Sequence, residues 1–236
     1  MIQRPQRAMV VFAHPDDEIG CAGTIASWIQ QGTQVAYVLC TNGNKGTEDV
    51  NLSMERLAQI REQEQTNAAS VLGVHDVVFL RHDDGALEDT AEFRGELVRE
   101  IRRFRPEMVL THAPQNGSRH VHRDHRVCGT VTLDAVFPYA RDPLHYAHFT
   151  AAGFEPHKVG VVLLWGSAQP DEFSDITQTM DLKVQAMLQH KSQFLDRPGR
   201  DTTREPGQFM REGAKRAGEQ AGIPFAEAFQ KMEFRT

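Results

Sequence analysis

Short apolar runs rich in β-branched residues alternate along this chain with longer segments whose hydrophobic positions recur every three or four residues. The runs at 9–13, 35–40, 77–80, 108–112 and 159–165 are expected as strands, and the segments at 19–31, 53–72, 91–104 and 124–136 as helices between them. In the third of these helices Phe93, Leu97, Ile101 and Phe104 share one face while Arg94, Glu96, Arg99 and Arg103 lie elsewhere. Gly32 and Gly73 are placed to end the helices before them. Strand and helix in strict alternation predict an α/β fold, a Rossmann-like three-layer sandwich with a mostly parallel sheet.

After the fourth helix the period weakens. Residues 141–158 carry His145, His148 and His157 among aromatics and Pro143 and Pro156, and are expected as an irregular excursion above the sheet that shapes a pocket entrance. A helix is expected at 180–193, with Leu182, Ala186 and Leu188 available for burial. The stretch 196–222 is polar, with Pro198 and Pro206, and the closing Phe225, Phe229 and Phe234 are expected to pack back onto the body. One domain over 1–236 is anticipated, with a core at about 8–193 and a C-terminal extension at 194–236.

A length of 236 residues, 40% hydrophobic and 25% charged, supports a sizeable core. The formal net charge of -6 argues against a nucleic-acid partner, which needs an excess of clustered Lys and Arg. Arg99, Arg102, Arg103 and Arg105 are read as the solvated face of a helix. The N-terminus runs directly into strand-like sequence and no long apolar span follows, so a cytoplasmic protein without a membrane partner is expected. Cys21, Cys40 and Cys128 are widely spaced and odd in number, as expected of buried thiols rather than a disulfide framework.

The polar residues that carry chemistry fall just after the expected strands, where ligands bind in an open α/β sheet. After the first comes Ala13-His14-Pro15-Asp16-Asp17-Glu18; after the second, Thr41-Asn42-Gly43-Asn44-Lys45-Gly46; after the third, His82-Asp83-Asp84-Gly85; after the fourth, His120-Val121-His122-Arg123-Asp124-His125. Acidic residues also suit the first turn of any helix, so the first cluster alone fits either helix capping or a divalent metal. The histidine cluster, brought to the same sheet edge, favours the metal. The glycines of the second loop match no nucleotide-binding spacing and suit a tight turn.

Ala13-His14-Pro15-Asp16-Asp17-Glu18 together with His122-Arg123-Asp124-His125-Arg126 resembles the paired signature of the PIG-L/LmbE family, whose members are mostly zinc-dependent deacetylases of N-acetylglucosamine-containing compounds. The similarity extends through Ile60-Arg61 and Glu64, Asp84-Gly85-Ala86-Leu87, Lys183, His190-Lys191-Ser192-Gln193 and Ala226-Glu227-Ala228-Phe229, nearly the whole chain. The resemblance implies His14, Asp17 and His125 as ligands of a Zn2+ ion and Asp16 as the general base for attack by a metal-bound water. It implies His122 as the group that stabilises the oxyanion, and Arg61 and Asp84 as contacts to sugar hydroxyls or phosphate-like groups, although Arg61 also fits a local salt bridge. Either Asp16 or a protonated His122 would deliver the final proton, while Asp124 is read as a supporting or capping group. Two departures, Asn44-Lys45 where many relatives carry an acidic residue and His120 where some carry tyrosine, lie near the expected substrate.

The implied partner is a small acetamido-sugar, and the implied activity removes its acetyl group. Relatives often form trimers or hexamers, which makes a homo-oligomer a further expectation, though no exposed apolar stripe demands it. A metal hydrolase of another acyl bond and a non-catalytic Rossmann-like binding module remain as alternatives.

Overall fold

The structure, a computed structural model, describes residues 2–117, 120–196 and 205–235. β1 (Arg7–Phe12) leads through a 3-10 turn (Asp17–Gly20) into α1 (Ala22–Gln30), followed by β2 (Gln34–Thr41), α2 (Met54–Leu72), β3 (Asp76–His82), α3 (Ala91–Phe104), β4 (Met108–His112) and α4 (Arg123–Asp134). The second half holds α5 (Ala147–Ala151), β5 (Val161–Trp165), β6 (Glu172–Asp175), α6 (Met180–Met187), α7 (Lys191–Phe194), α8 (Gln208–Ala221) and β7 (Ala226–Glu233). The expected strands and the first four expected helices all form. Ser53 and Thr90 cap α2 and α3 by accepting the backbone N–H of Arg56 and Phe93.

The seven strands lie in the order β3-β2-β1-β4-β5-β7-β6. They are parallel except for β7, which runs antiparallel to β5 and β6 on its two sides. Because β1 is buried along nearly its whole length, alternate side chains enter opposite cores. Met9 and Val11 join Val38, Val98, Ile101 and Val131 on the side of α3 and α4. Val10 and Phe12 join Tyr37, Ile25 and Phe229 on the side of α1, α2 and α6. The chain builds outwards from β1 to β3 and then restarts on the other side of β1 with β4, so the switch point falls between β1 and β4.

Four expectations need correction. Arg102 is not solvated: its guanidinium is buried and donates to the carbonyls of Tyr139, Ala140, Asp142, His145 and Tyr146 and to Thr150 Oγ1, at 2.9–3.5 Å. Burial lowers its pKa, but the fork of donors fixes the whole segment after α4. That segment is also not over the site. Its contacts run along α3, where Tyr146 donates to Ala91 O, and to the turn before β4, where His157 meets Pro106 O. The single helix expected at 180–193 is two, α6 and α7, separated by a break that buries His190. The polar stretch contains α8, whose buried stripe of Met210, Ala214 and Gly218 is too narrow and too poor in large apolar residues to stand out. Residues 197–204, with Pro198, lie outside the described residues.

Phe229 is fully buried within β7, and Phe225 and Phe234 pack against the apolar clusters as expected. All three cysteines are buried free thiols. Among the described residues no helix is long and apolar enough to cross a membrane. Beneath α1, Glu227 accepts from the backbone N–H of Gly23 and Thr24, from Thr24 Oγ1 and from Lys183 Nζ at 2.5–2.9 Å, tying β7 to α1 and α6.

Replacing Arg102 by Leu removes six hydrogen bonds to residues 139–150, although the Ala140, Asp142 and Tyr146 carbonyls each keep a backbone N–H, and is expected to lower unfolding free energy by about 2–3 kcal/mol in urea titration. Lys183→Met leaves the Glu227 carboxylate buried without its cation and should cost about 3–5 kcal/mol in the same measurement.

Candidate active site

The ends of β1 and β4 supply the centre of the site, and one close packing contact sets their spacing. Gly129 of α4 sits directly on the end of β4, where a Cβ would collide with the His112 carbonyl oxygen. One turn earlier on the same helix face is His125, which this contact brings to His14.

The His14 Nδ1 atom lies 3.1 Å from His125 Nε2 and 3.3 Å from Asp17 Oδ2, and Asp17 Oδ1 lies 3.2 Å from His125 Nε2. A tetrahedral metal with bonds of about 2.0–2.1 Å has ligand atoms about 3.3 Å apart; the His14 and His125 nitrogens are close to that spacing, while Asp17 meets His14 with Oδ2 and His125 with Oδ1. The other ring nitrogen of His14, Nε2, lies 3.2 Å from both Asp124 Oδ2 and Asp84 Oδ1. A carboxylate behind a histidine fixes its tautomer and strengthens it as a ligand. Burial disfavours charge on His14, but hydrogen bonds to Asp124, Asp17 and Asp84 outweigh it and push its pKa up to about 12. Carboxylates crowded around a buried imidazole in this way call for positive charge, which a divalent cation supplies.

Asp124 is fully buried and accepts the backbone N–H of Gly85 at 2.6 Å and of Leu87 at 3.3 Å, linking the loop after β3 to α4 and to His14. Arg123 adds a second link by donating to Leu87 O. His112, which the sequence left as the last residue of a strand, is part of the site. Its ring stacks on His125 with centroids 4.1 Å apart, and its Nε2 lies 3.3 Å from Asp17 Oδ2. Burial lowers the pKa of His112, and Trp165 at the end of β5 covers its ring. Burial raises the Asp17 pKa, but His112 and His125 reverse this and hold it well below the usual range. Three sets of donor atoms could hold a metal: His14 with His122 and His125, Asp17 with His112 and His125, and His14 with Asp84 and Asp124. His14 and His125 recur among them.

Asp16 stands beside this cluster in a strained backbone, at φ 115° and ψ -14°, a region that disfavours every residue but glycine. The strain is held by partners: Asp16 N–H donates to Gln65 Oε1 at 3.1 Å, and Arg61 Nη2 donates to Pro15 O at 2.5 Å and to Asp16 Oδ2 at 3.1 Å. Burial raises the Asp16 pKa to about 7 in spite of Arg61, within the range that suits a proton acceptor near neutral pH.

Arg61 also donates to Gly43 O at 3.0 Å, and a side chain at Gly43 would occupy its place. The glycines of the second loop therefore make room for this guanidinium. Arg61 is buried and both Nη atoms donate to the protein while Nε has no hydrogen-bond partner, and its ion pair with Asp16 is the local role anticipated for it. Asp84 is buried between His14 and Arg61, and Asn44 steadies it by accepting its backbone N–H at 3.1 Å.

His122 is exposed and caps α4, its Nδ1 accepting the backbone N–H of Asp124 at 3.2 Å. The neutral ring then carries its proton on Nε2. Burial of part of the ring and the nearby His14 and His125 lower its pKa. Its ring meets that of His14 edge to face at 4.7 Å.

A further buried pair lies behind the acidic turn. His190 Nε2 is 2.7 Å from Glu18 Oε1 with both side chains inaccessible, while Ser192 donates twice to Glu64 and Gln193 Nε2 donates to Gly46 O. The motif His190-Lys191-Ser192-Gln193 thus straps the acidic turn, α2 and the second loop together.

Residues 9–136 match the family model described as PIG-L, GlcNAc-PI de-N-acetylase. The diacetylchitobiose deacetylase of Thermococcus kodakarensis is 35% identical over 193 residues, 80% of this chain and 70% of that protein. A probable N-acetyl-alpha-D-glucosaminyl L-malate deacetylase 2 of Bacillus anthracis is 30% identical over 203 residues, 82% of this chain and 84% of that protein. The solved structure of the N,N'-diacetylchitobiose deacetylase from Pyrococcus horikoshii superposes with a TM-score of 0.89 at 31% identity, covering 97% of this chain and 84% of that one. With the paired motifs meeting at one strand switch point and the family match spanning more than half of its length, the chain belongs to the PIG-L family.

Proposed function

We propose that this protein is a zinc-dependent amidohydrolase that removes the acetyl group from an N-acetylglucosaminyl-type substrate. The observation that carries this reading is the meeting of His14, Asp17 and His125, whose nearest side-chain atoms lie 3.1–3.3 Å apart, with Asp16 in the same turn holding its carboxylate on Arg61. Two imidazoles and one carboxylate are the donor set of a catalytic zinc with a position left open. A zinc ion held there supplies Lewis acidity to the substrate carbonyl and acidifies water.

The chain's own residues do the rest. Asp16 accepts the proton that the attacking water gives up, its carboxylate held in line by Arg61. His122, with Nδ1 tied to the start of α4, presents Nε2–H to the oxygen that gains negative charge as the carbonyl carbon becomes tetrahedral. Asp124 and Asp84 keep His14 in the tautomer that turns Nδ1 towards His125 and Asp17. The departing sugar amine needs one proton, and Asp16 holds the one it took. Asp84, beside Arg61, is the carboxylate assigned to sugar hydroxyls, since a carboxylate suits vicinal hydroxyls.

The test is primary-amine release from a panel of N-acetylglucosamine compounds by the purified protein, with zinc and after chelation. Chelation is expected to abolish release and added zinc to restore it. His14→Ala and His125→Ala should lose the metal by elemental analysis; zinc bound as tightly as in the parent would sink the ligand assignment. Asp16→Asn is expected to keep its zinc while kcat falls about a hundredfold to ten-thousandfold; unchanged kcat would remove Asp16 from the chemistry. His122→Ala should lower kcat about a hundredfold to a thousandfold with a smaller change in KM.

A further inference from the structure

The proposed chemistry leaves His112 without a task, yet its ring meets the support of each proposed ligand. Its Nε2 accepts the backbone N–H of Ala13, the residue before His14, at 3.2 Å. Ala13 is fully buried and lies just past the end of β1, so this N–H depends on the imidazole for its acceptor. The same nitrogen lies 3.3 Å from Asp17 Oδ2 and limits how far that carboxylate can swing away from His14 and His125. The face of the ring stacks on His125, with centroids 4.1 Å apart and planes 18° from parallel.

His112 is itself held by the strands around it. Its backbone lies opposite Trp165 in the ladder between β4 and β5, its carbonyl oxygen lies against Gly129, and the Trp165 indole packs on its ring with centroids 4.7 Å apart. A Cβ at Gly20 would strike that indole, so the turn after the acidic residues closes on the same stack. The sheet thus fixes the imidazole, and the imidazole passes that fixity to the acidic turn and to α4.

Two features keep His112 from bonding an ion held by His125. Its Nε2 accepts the Ala13 N–H, and in a neutral imidazole the proton then sits on Nδ1, so neither nitrogen keeps a free lone pair. A ligating imidazole also keeps its metal near the plane of the ring. The rings of His112 and His125 lie in separate, nearly parallel planes, so an ion in the plane of one is out of the plane of the other.

We infer that His112 is a positioning residue of the metal centre: one ring fixes the backbone before His14, the carboxylate of Asp17 and the plane of His125, and takes no bond to the ion itself. This rests on His14, Asp17 and His125 being the zinc ligands of the amidohydrolase reading. Groups that orient ligands in this way govern metal affinity as well as turnover.

The experiment compares the full chain with His112→Ala, His112→Phe and His112→Gln, loaded with zinc and, in its place, with cobalt(II). Phe keeps a ring for His125 to stack on, and Gln keeps an acceptor for the Ala13 N–H. Zinc affinity is measured by competition with a chromogenic chelator, the ligand field by the visible absorption of the cobalt form, and the imidazoles on zinc by X-ray absorption. Thermal melts of the metal-free proteins report folding, and Val98→Ala, a core change in α3, is the control for lost stability alone.

His112→Ala is expected to weaken zinc binding about tenfold to a hundredfold and to alter the cobalt absorption, with Phe and Gln each recovering part of the affinity. At saturating zinc its kcat for amine release should fall by more than KM changes. Val98→Ala should melt earlier and keep the parent's zinc affinity and cobalt absorption. The imidazoles of His14 and His125 should be counted on zinc in the parent and in every variant.

Parent-like zinc affinity and cobalt absorption in His112→Ala overturn the inference, as does an equal loss of affinity in Val98→Ala, which would make the effect one of stability. A third imidazole on zinc that disappears in His112→Ala also overturns it, by making His112 a ligand. A parent that holds zinc but releases no amine sinks the amidohydrolase reading, while the metal readouts still decide the role of His112. A parent that binds neither ion removes both.

Discussion

The imidazole of His14 is where the two halves of the sheet are joined chemically. One nitrogen faces the carboxylate of Asp17 and the ring of His125; the other is held by Asp124 and Asp84, which come from the start of α4 and the loop after β3. A single ring thus meets groups carried on three strand ends, and each constrains the others. A buried imidazole among three acidic side chains is stable only if they are arranged to share charge and protons. That requirement gives the loops around the site their fixed geometry. The family's defining motifs mark the parts that meet it.

A second constraint is conformational. Asp16 occupies a left-handed backbone region that costs about 1–3 kcal/mol for a residue with a side chain. Gln65, Arg61 and the carbonyl of Pro15 hold it there, and behind them Glu18 is paired with His190. Gln65, Arg61 and His190 are remote in sequence from the turn they restrain. The helix α2 contributes Arg61, Glu64 and Gln65, so it acts as a frame for the acidic turn as much as a crossover between strands.

Most of the architecture could be read from the chain because parallel strands buried on both faces are written as apolar runs and their helices as amphipathic repeats. His14, Asp16, Asp17, His122 and His125 stood out because they follow such runs. His112 did not: it is the final residue of its strand, and only the stacking on His125 reveals its place. Its position at a strand end was the available signal. Arg102 was hidden for the opposite reason, since an arginine among arginines on a helix looks solvated, and nothing local announces the five carbonyls it meets from residues 139–146. β7 escaped notice because an antiparallel strand with Lys231 and Glu233 at its end carries no continuous apolar run. α8 escaped because its buried stripe holds Met, Ala and Gly. These last two elements pack against each other beyond β5, so the edge of the sheet farthest from β3 was the least legible part.

The contact of Gly129 with the His112 carbonyl has a consequence for how the centre tolerates change elsewhere. Layers separated by side chains can drift as those side chains are exchanged, because each new volume resets the gap. Here helix and strand touch backbone to backbone, one turn from His125, and the gap has no adjustable filler. The distance across the centre works as a gauge block, insulated from turnover in the two cores on either side of the sheet. The cores are free to diversify while the spacing of the donors stays where the peptide backbone sets it.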